Sequence, residues 1–181
     1  MESGARHRSD RTKNLVGFLV GDVRYAVDIL RVREVVNPLP IVGLPHAPPV
    51  VIGVADHRGE VIPIVDLRRR FGLPPLDDAR RTKWIIVHIG ARAAGLVVDS
   101  VTDVFGTGAP DQREVPQLGA GDAARGISSV YAHDGTLVFV VDVDRLAAAA
   151  EFVDLDARHA FEPRAPASLE PELGKGTGAK R

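Results

Sequence analysis

The chain has 181 residues, 45% of them hydrophobic and 5% aromatic, with no cysteine and a formal net charge of −1. That length buries about two-thirds of the surface exposed on unfolding, enough for one domain or two small barrels. Near-neutral charge excludes a general attraction to nucleic acid or anionic membrane, and the missing cysteines exclude disulfides, thiolate zinc sites and cysteine nucleophiles.

Residues 1–13 (MESGARHRSDRTK) are polar and carry no apolar run, which predicts a disordered tail rather than a signal peptide. Leu15–Val20 and Arg24–Asp28 then flank Gly21-Asp22, the pattern of a hairpin. Val32–Asn37 is a third β run, closed by a proline-rich stretch from Pro38 to Pro49. Val50–Arg58 and Glu60–Val65 pair around Gly59, and Pro63 places the second of these at a sheet edge or beside a bulge. Asp66 has the position of an N-cap for a short helix, LRRRF, whose Leu67 and Phe71 share one face.

Trp84–Ile89 and Arg92–Asp99 flank Gly90-Ala91, followed by Val101–Phe105. Gly106–Arg125 reads as a long glycine-rich loop. Ile127–Ala132 and Thr136–Val141 meet across Asp134-Gly135, the strongest hairpin signal in the chain. Asp142 or Asp144 caps a last helix from Arg145 to about Val153, and residues 157–181, rich in Pro, Gly and charge, read as a second disordered tail. Residues 14–153 form the folded unit. No stretch approaches the roughly 20 apolar residues of a membrane helix, so a cytoplasmic protein is expected.

The order of elements repeats. Gly21, Val32, Glu34 and Val35 superpose on Gly90, Val101, Asp103 and Val104 at an offset of 69 residues. Val54, Gly59, Val65 and Asp66 superpose on Val130, Gly135, Val141 and Asp142 at an offset of 76. Two related β-rich halves therefore meet at an interface, the second with a loop seven residues longer. Short strands, one brief helix per half and no long β-α alternation predict small antiparallel barrels rather than a parallel sheet. Local propensity leaves open whether each half builds its own barrel or strands cross between them.

Catalytic signatures are missing. No two of the six histidines stand at i, i+4, and Gly106-Thr107-Gly108 lacks the third glycine of a dinucleotide loop. Asp56 and His57 are neighbours on a strand and point to opposite faces, so they cannot act as a dyad. The carboxylates of Asp28, Asp66, Asp99 and Asp142 each end a strand, where capping explains them. Arg68-Arg69-Arg70, with Arg80, Arg81 and Lys83, reads as a solvated helix face before a phosphate site. Trp84, Tyr25 and Tyr131 are too few and dispersed for a single-stranded nucleic acid or ligand platform. No enzyme activity, metal or cofactor is expected.

Four blocks carry a resemblance: FLVGDVRYAVDILRVREVV, LPHAPPVVIGVADHRGEVIPIVDLRRRFG, AAGLVVDSVTDVF and GISSVYAHDGTLVFVVDVDRL. Their order and spacing, from about Asn14 to Ala150, resemble the CheW family of bacterial chemosensory adaptors. The resemblance implies two SH3-like five-stranded β-barrels packed on a common hydrophobic core. It implies a non-enzymatic scaffold, coupling the cytoplasmic tip of a methyl-accepting chemotaxis receptor to the regulatory domain of a CheA-type histidine kinase. It also implies recruitment to membrane-associated arrays, with kinase domains and further adaptor copies alternating in rings. Helix-in-groove capture of the receptor would suit two docked barrels. The implied partner-binding positions are Val32, Glu34, Gly53, Arg58, Gly95, Val101 and Val104, of which Glu34 and Arg58 are the strongest candidates. The family's Asn-Leu before Arg-Gly is Asp56-His57 here. That change leaves a second reading, an adaptor that binds receptors without coupling to kinase.

Overall fold

The computed structural model describes residues 13–76, 78, 81–115 and 126–149. Both expected tails, apart from Lys13, and residues 116–125 of the expected long loop lie outside them. Among the described residues no helix is long and apolar enough to cross a membrane.

Four hairpins organise the chain. Strands β1 (Lys13–Val20) and β2 (Val23–Asp28) turn at Gly21-Asp22; β4 (Val51–His57) and β5 (Glu60–Asp66) turn at Arg58-Gly59. In the second half β6 (Lys83–Ile89) and β7 (Arg92–Val98) turn at Gly90-Ala91; β10 (Ile127–His133) and β11 (Thr136–Val141) turn at Asp134-Gly135. Arg58-Gly59 and Asp134-Gly135 put both central residues at positive φ, the pattern of a type I′ turn that matches strand twist. Single strands follow the first hairpin of each half: β3 (Val32–Val36) after a 3-10 turn at Ile29–Arg31, and β8 (Ser100–Thr107). A two-residue strand, β9 (Gln112–Arg113), lies within what the sequence presents as loop.

The strands cross between the halves. One sheet runs β8-β1-β2-β11-β10-β9 and the other β3-β6-β7-β5-β4. Each thus centres on the first hairpin of one half and completes itself with strands of the other. Two pairings are parallel, β2 with β11 and β5 with β7, which corrects the expectation of purely antiparallel barrels. These contacts join distant segments, so no turn signal announces them. The repeat extends to register: Ile64 faces Gly95, and Val140 faces Ala26, the same pair under the two offsets. Bulges recur as well, between Val51 and Gly53 and between Ile127 and Ser129.

Alternation sorts the side chains into three cores. On β6, Ile85 and Val87 enter a central cluster, while Trp84 and Ile86 point into the interior of their own sheet. The central cluster also takes Val16, Phe18, Val20 and Val27 from the other sheet, so the two SH3-like units share one core. A third cluster, Leu15, Ala26, Phe105, Tyr131, Val138 and Val140, fills the other unit. Strands β6 and β7 are buried on both faces, which is why they read as nearly continuous apolar runs.

Pro63 sits inside its sheet rather than at an edge, next to the bulge. It faces Val54, whose N–H and C=O both bond to Val42 on the far side, so the missing donor leaves no gap in the β4–β5 ladder. Helix α1 (Leu67–Arg70) is capped by Asp66, which accepts from Arg68 N at 2.8 Å and Arg69 N at 3.2 Å. Helix α2 (Val143–Ala149) is capped by Asp142 in the same way, at 2.9 and 3.2 Å, and Asp144 is not the cap. Leu67 is fully buried, and Phe71 stacks on Tyr25 with ring centroids 4.8 Å apart.

Candidate functional site

Strands β3 and β4 are opposite edges of the five-stranded sheet, yet their ends meet. Glu34 on β3 accepts from Arg58 Nη2 at 2.9 Å through Oε2, and its Oε1 lies 3.0 Å from His57 Nε2. One residue earlier, Arg33 Nη1 donates to Glu60 Oε2 at 2.7 Å. These contacts lie along the seam where the edges of the curled sheet meet. The two strongest sequence candidates, 24 residues apart, thus form one ion pair. Arg58 occupies the first turn position at φ 56°, a conformation favourable to Gly or Asn and costly for a long side chain. Its side chain is 71% exposed, whereas that of Glu34 is 24% exposed. Arg58 therefore reaches into solvent from a strained turn, with Glu34 behind it.

His57 lies in phase with Val51, Gly53 and Ala55, all turned inward, and is only 3% exposed. Asp56 points outward, as alternation requires, and its Oδ1 accepts from Gly59 N at 2.7 Å. The imidazole is close to Glu34 without hydrogen-bond alignment, and Nδ1 has no partner. Considered only against its neighbour Asp56, His57 carries no sequence signal; its partner comes from another strand.

The same contact is built a second time. Asp103 Oδ2 on β8 meets His133 Nε2 at the end of β10, at 3.1 Å. Glu34 and Asp103 correspond at the first offset, His57 and His133 at the second, so the duplication was available as a signal. Asp134 stands where the first copy has Arg58. Asp103, His133 and Asp134 bring their ligand atoms within 4.8 Å of one another. Asp103 is already answered, however: Thr102 Oγ1 donates to Oδ1 at 2.6 Å and Arg24 Nη2 at 3.3 Å. The hydroxyl bond foremost, with His133 and Arg24, holds the Asp103 carboxyl below the usual aspartate range against a smaller opposing effect of burial. His133 also stacks on Phe105 at 3.9 Å.

The other candidates are dispersed. Val32 and Val101 pack half-buried against the central cluster. Val104, on the edge strand β8, is 60% exposed, as is its counterpart Val35 in lesser degree. Gly95 is interior: an added Cβ would lie 2.8 Å from Ile64 Cδ1. At Gly53, with φ 146°, a Cβ would lie 2.4 Å from Val42 O, so this glycine admits the strap at Ile41-Val42 against β4. Ile41, with Leu39, Ile52, Trp84 and Val97, lines a recess of about 270 Å³ whose wall also includes Asp66, Arg68, Arg69 and Thr82. Two more cavities, of about 380 and 270 Å³, have charged linings beside Asp99 and beside Arg31 and Asp144.

Within the Arg68–Arg70 run Arg69 is exposed, as a solvated face requires, but Arg68 is not. Arg68 Nη1 donates to Asp99 Oδ2 and Nε to Pro74 O, the ion pair being 15% exposed on each side. Asp99 also accepts from Gly21 N at 2.7 Å, which ties the first hairpin to α1. Trp84, Tyr25 and Tyr131 are all buried, so none offers a stacking surface for a base.

The CheW-like domain family matches residues 14–151. The chain belongs to that family. It is 34% identical over 145 residues to chemotaxis protein CheW of Rhizobium meliloti (strain 1021), covering 80% of this chain and 93% of that protein. It is 28% identical over 134 residues to a probable chemotaxis protein CheW of Rhizobium etli, covering 74% and 86%. Among solved structures it is similar to the scaffolding protein TtCheW from Thermoanaerobacter tengcongensis, with a TM-score of 0.68 and 26% identity, covering 80% of this chain and 93% of that one. The CheW-like chain is thus a chemotaxis scaffold by family, and its two SH3-like units are those of the fold.

Proposed function

We propose that this CheW-like protein is a non-enzymatic adaptor that couples the cytoplasmic tip of a methyl-accepting chemotaxis receptor to the regulatory domain of a CheA-type kinase. The observation that carries the reading is the Glu34–Arg58 pair, held at 2.9 Å on a sheet seam with the guanidinium facing out. A charge fixed by a partner and a turn costs little entropy to present, which favours recognition. Val32 and Val35 flank Glu34 and supply apolar area. The apolar part of the recess beside Ile41 and Ile52 would take the aliphatic face of a receptor helix, with Arg68 and Arg69 beside it. Gly53 contributes by seating the Ile41-Val42 strap at its rim, while Gly95 acts through packing. Val101 and Val104 belong to a second edge, on β8, where the kinase domain or a further adaptor copy would contact it. Residues 14–153 suffice for both contacts, and the protein works on the cytoplasmic side of receptor membranes.

Pull-down of the adaptor with a soluble receptor fragment and with the kinase regulatory domain tests this. Glu34→Lys should weaken capture of at least one of them while the melting temperature stays nearly constant. Unchanged capture of both removes the assigned surface. Co-sedimentation with receptor membranes, without and with kinase, should yield first a binary and then a ternary pellet.

A further inference from the structure

Asp103, His133 and Asp134 form the one group of three potential metal ligands among the described residues. The fold assembles it: β8 brings Asp103 to His133 at the end of β10, 30 residues away in sequence, and the following turn adds Asp134. That separation is why the spacing of the histidines gives no sign of the group.

Both carboxylates approach the same nitrogen. His133 Nε2 lies 3.1 Å from Asp103 Oδ2 and 3.5 Å from Asp134 Oδ2. Around tetrahedral zinc, with ligand bonds of about 2.0–2.2 Å, neighbouring ligand atoms stand roughly 3.3–3.6 Å apart. Two edges of such a polyhedron are therefore nearly in place. The third closes by movement of Asp134, whose side chain is 76% exposed and swings without disturbing a core.

The other two ligands are held. His133 stacks on Phe105 with ring centroids 3.9 Å apart. Asp103 Oδ1 accepts from Thr102 Oγ1 at 2.6 Å and from Arg24 Nη2 at 3.3 Å, which leaves Oδ2 turned to the imidazole. Hydrogen bonds behind a ligating carboxylate orient it and raise affinity. Arg24 also brings a positive charge that lowers affinity, but the two carboxylates outnumber it.

The first copy of the repeat shows what a cation does at this place. There the turn residue is Arg58, and its guanidinium donates to Glu34 at 2.9 Å. Asp134 reverses the charge of that residue. Turn and strand then carry like charges, and a cation between them restores the link.

We propose that Asp103, His133 and Asp134 bind a divalent transition-metal ion, with zinc the best match to one imidazole and two carboxylates. The ion ties the β10–β11 turn to β8, as Arg58 ties the β4–β5 turn to β3, and its remaining position is open to water. The site is separate from the Glu34–Arg58 surface and does not depend on the function proposed for it.

Isothermal titration of the metal-stripped, full-length protein with zinc chloride should show one saturable site. His133→Gln and Asp134→Asn should each weaken it by about tenfold or more, and Thr102→Ala should do so through Asp103 by about tenfold. Asn suits the φ of 48° at this turn, so Asp134→Asn keeps the backbone while losing a ligand charge. His88→Gln, exposed on β6, should change nothing. Zinc should also raise the melting temperature of wild type and leave that of Asp134→Asn where it was. No saturable binding, or binding that survives both His133→Gln and Asp134→Asn, overturns the proposal. Equal melting shifts in wild type and Asp134→Asn overturn it as well.

Discussion

Arg58→Asn separates the two roles that Arg58 can have. At φ 56° beside Gly59, Arg58 occupies a left-handed position where Asn or Gly is preferred. Relief of that conformation is worth about 1 kcal/mol. Against this stands the Arg58–Glu34 bond, which at 71% exposure of the arginine contributes a few tenths of a kcal/mol after screening. The balance favours the variant by about 0.5 kcal/mol, or a melting temperature higher by roughly 1–2 °C for a domain of this size. Capture of the receptor fragment or kinase domain should meanwhile fall. Thermal unfolding by circular dichroism and pull-down on one preparation read both quantities. A variant that melts several degrees lower would show that the guanidinium supports the sheet seam, and the reasoning would be wrong. A more stable variant that binds as before would reduce Arg58 to a turn residue.

Gly53→Ala should destabilise by about 2–3 kcal/mol, because the new Cβ meets the Val42 carbonyl at 2.4 Å and φ is 146°; Gly95→Ala meets only the end of Ile64 at 2.8 Å and should cost about 1 kcal/mol. Urea unfolding of both variants checks the order, and equal costs would contradict it. Asp99→Ala leaves Arg68, in a pair 15% exposed on each side, without its partner and frees the Gly21 N–H; a loss of about 3 kcal/mol is expected in the same assay. Asp103 has its carboxyl pKa depressed in the fold, so its stabilising contribution is complete above the unfolded value near 3.9 and is lost as pH falls through the lower folded value. Asp103→Asn should therefore shrink the loss of stability on acidification below about pH 4; an identical acid limb in both proteins would refute the assignment.

What the sequence discloses is what short-range chemistry decides. The four hairpins follow from two-residue turns with glycine, and the helix starts follow from Asp66 and Asp142, each bonding to the next residues along. The duplicated order of elements was legible from spacing. The exchange of strands was not, because β2–β11 and β5–β7 join segments more than 30 residues apart and parallel pairs have no turn to mark them. Glu34 and Arg58 stood out individually, but their contact depends on how far the sheet curls. His57 stood out only beside Asp56 and as a departure from the family's leucine; its contact with Glu34 was not legible, because alternation says nothing of β3. Arg68 sits on a short helix among arginines, and nothing local foretells that Asp99 turns it inward.

The duplication also shows where the two copies have been kept alike and where they have parted. Registers, bulges, caps and the carboxylate–histidine contact are shared, and all of them govern backbone course or seam closure. The exposed turn position differs in sign, Arg58 against Asp134. The links from the crossovers to the helices differ as well. Arg68 of α1 pairs with Asp99 after β7, whereas its counterpart Asp144 of α2 pairs with Arg31 after β2, so the polarity is reversed. Because each sheet needs strands from both halves, neither unit can change its backbone course without the other. Two equivalent frameworks with unlike surfaces follow from that constraint. If the protein joins a receptor tip to a kinase domain, as proposed above, the two partners differ in chemistry, and a single repeated surface would discriminate between them poorly.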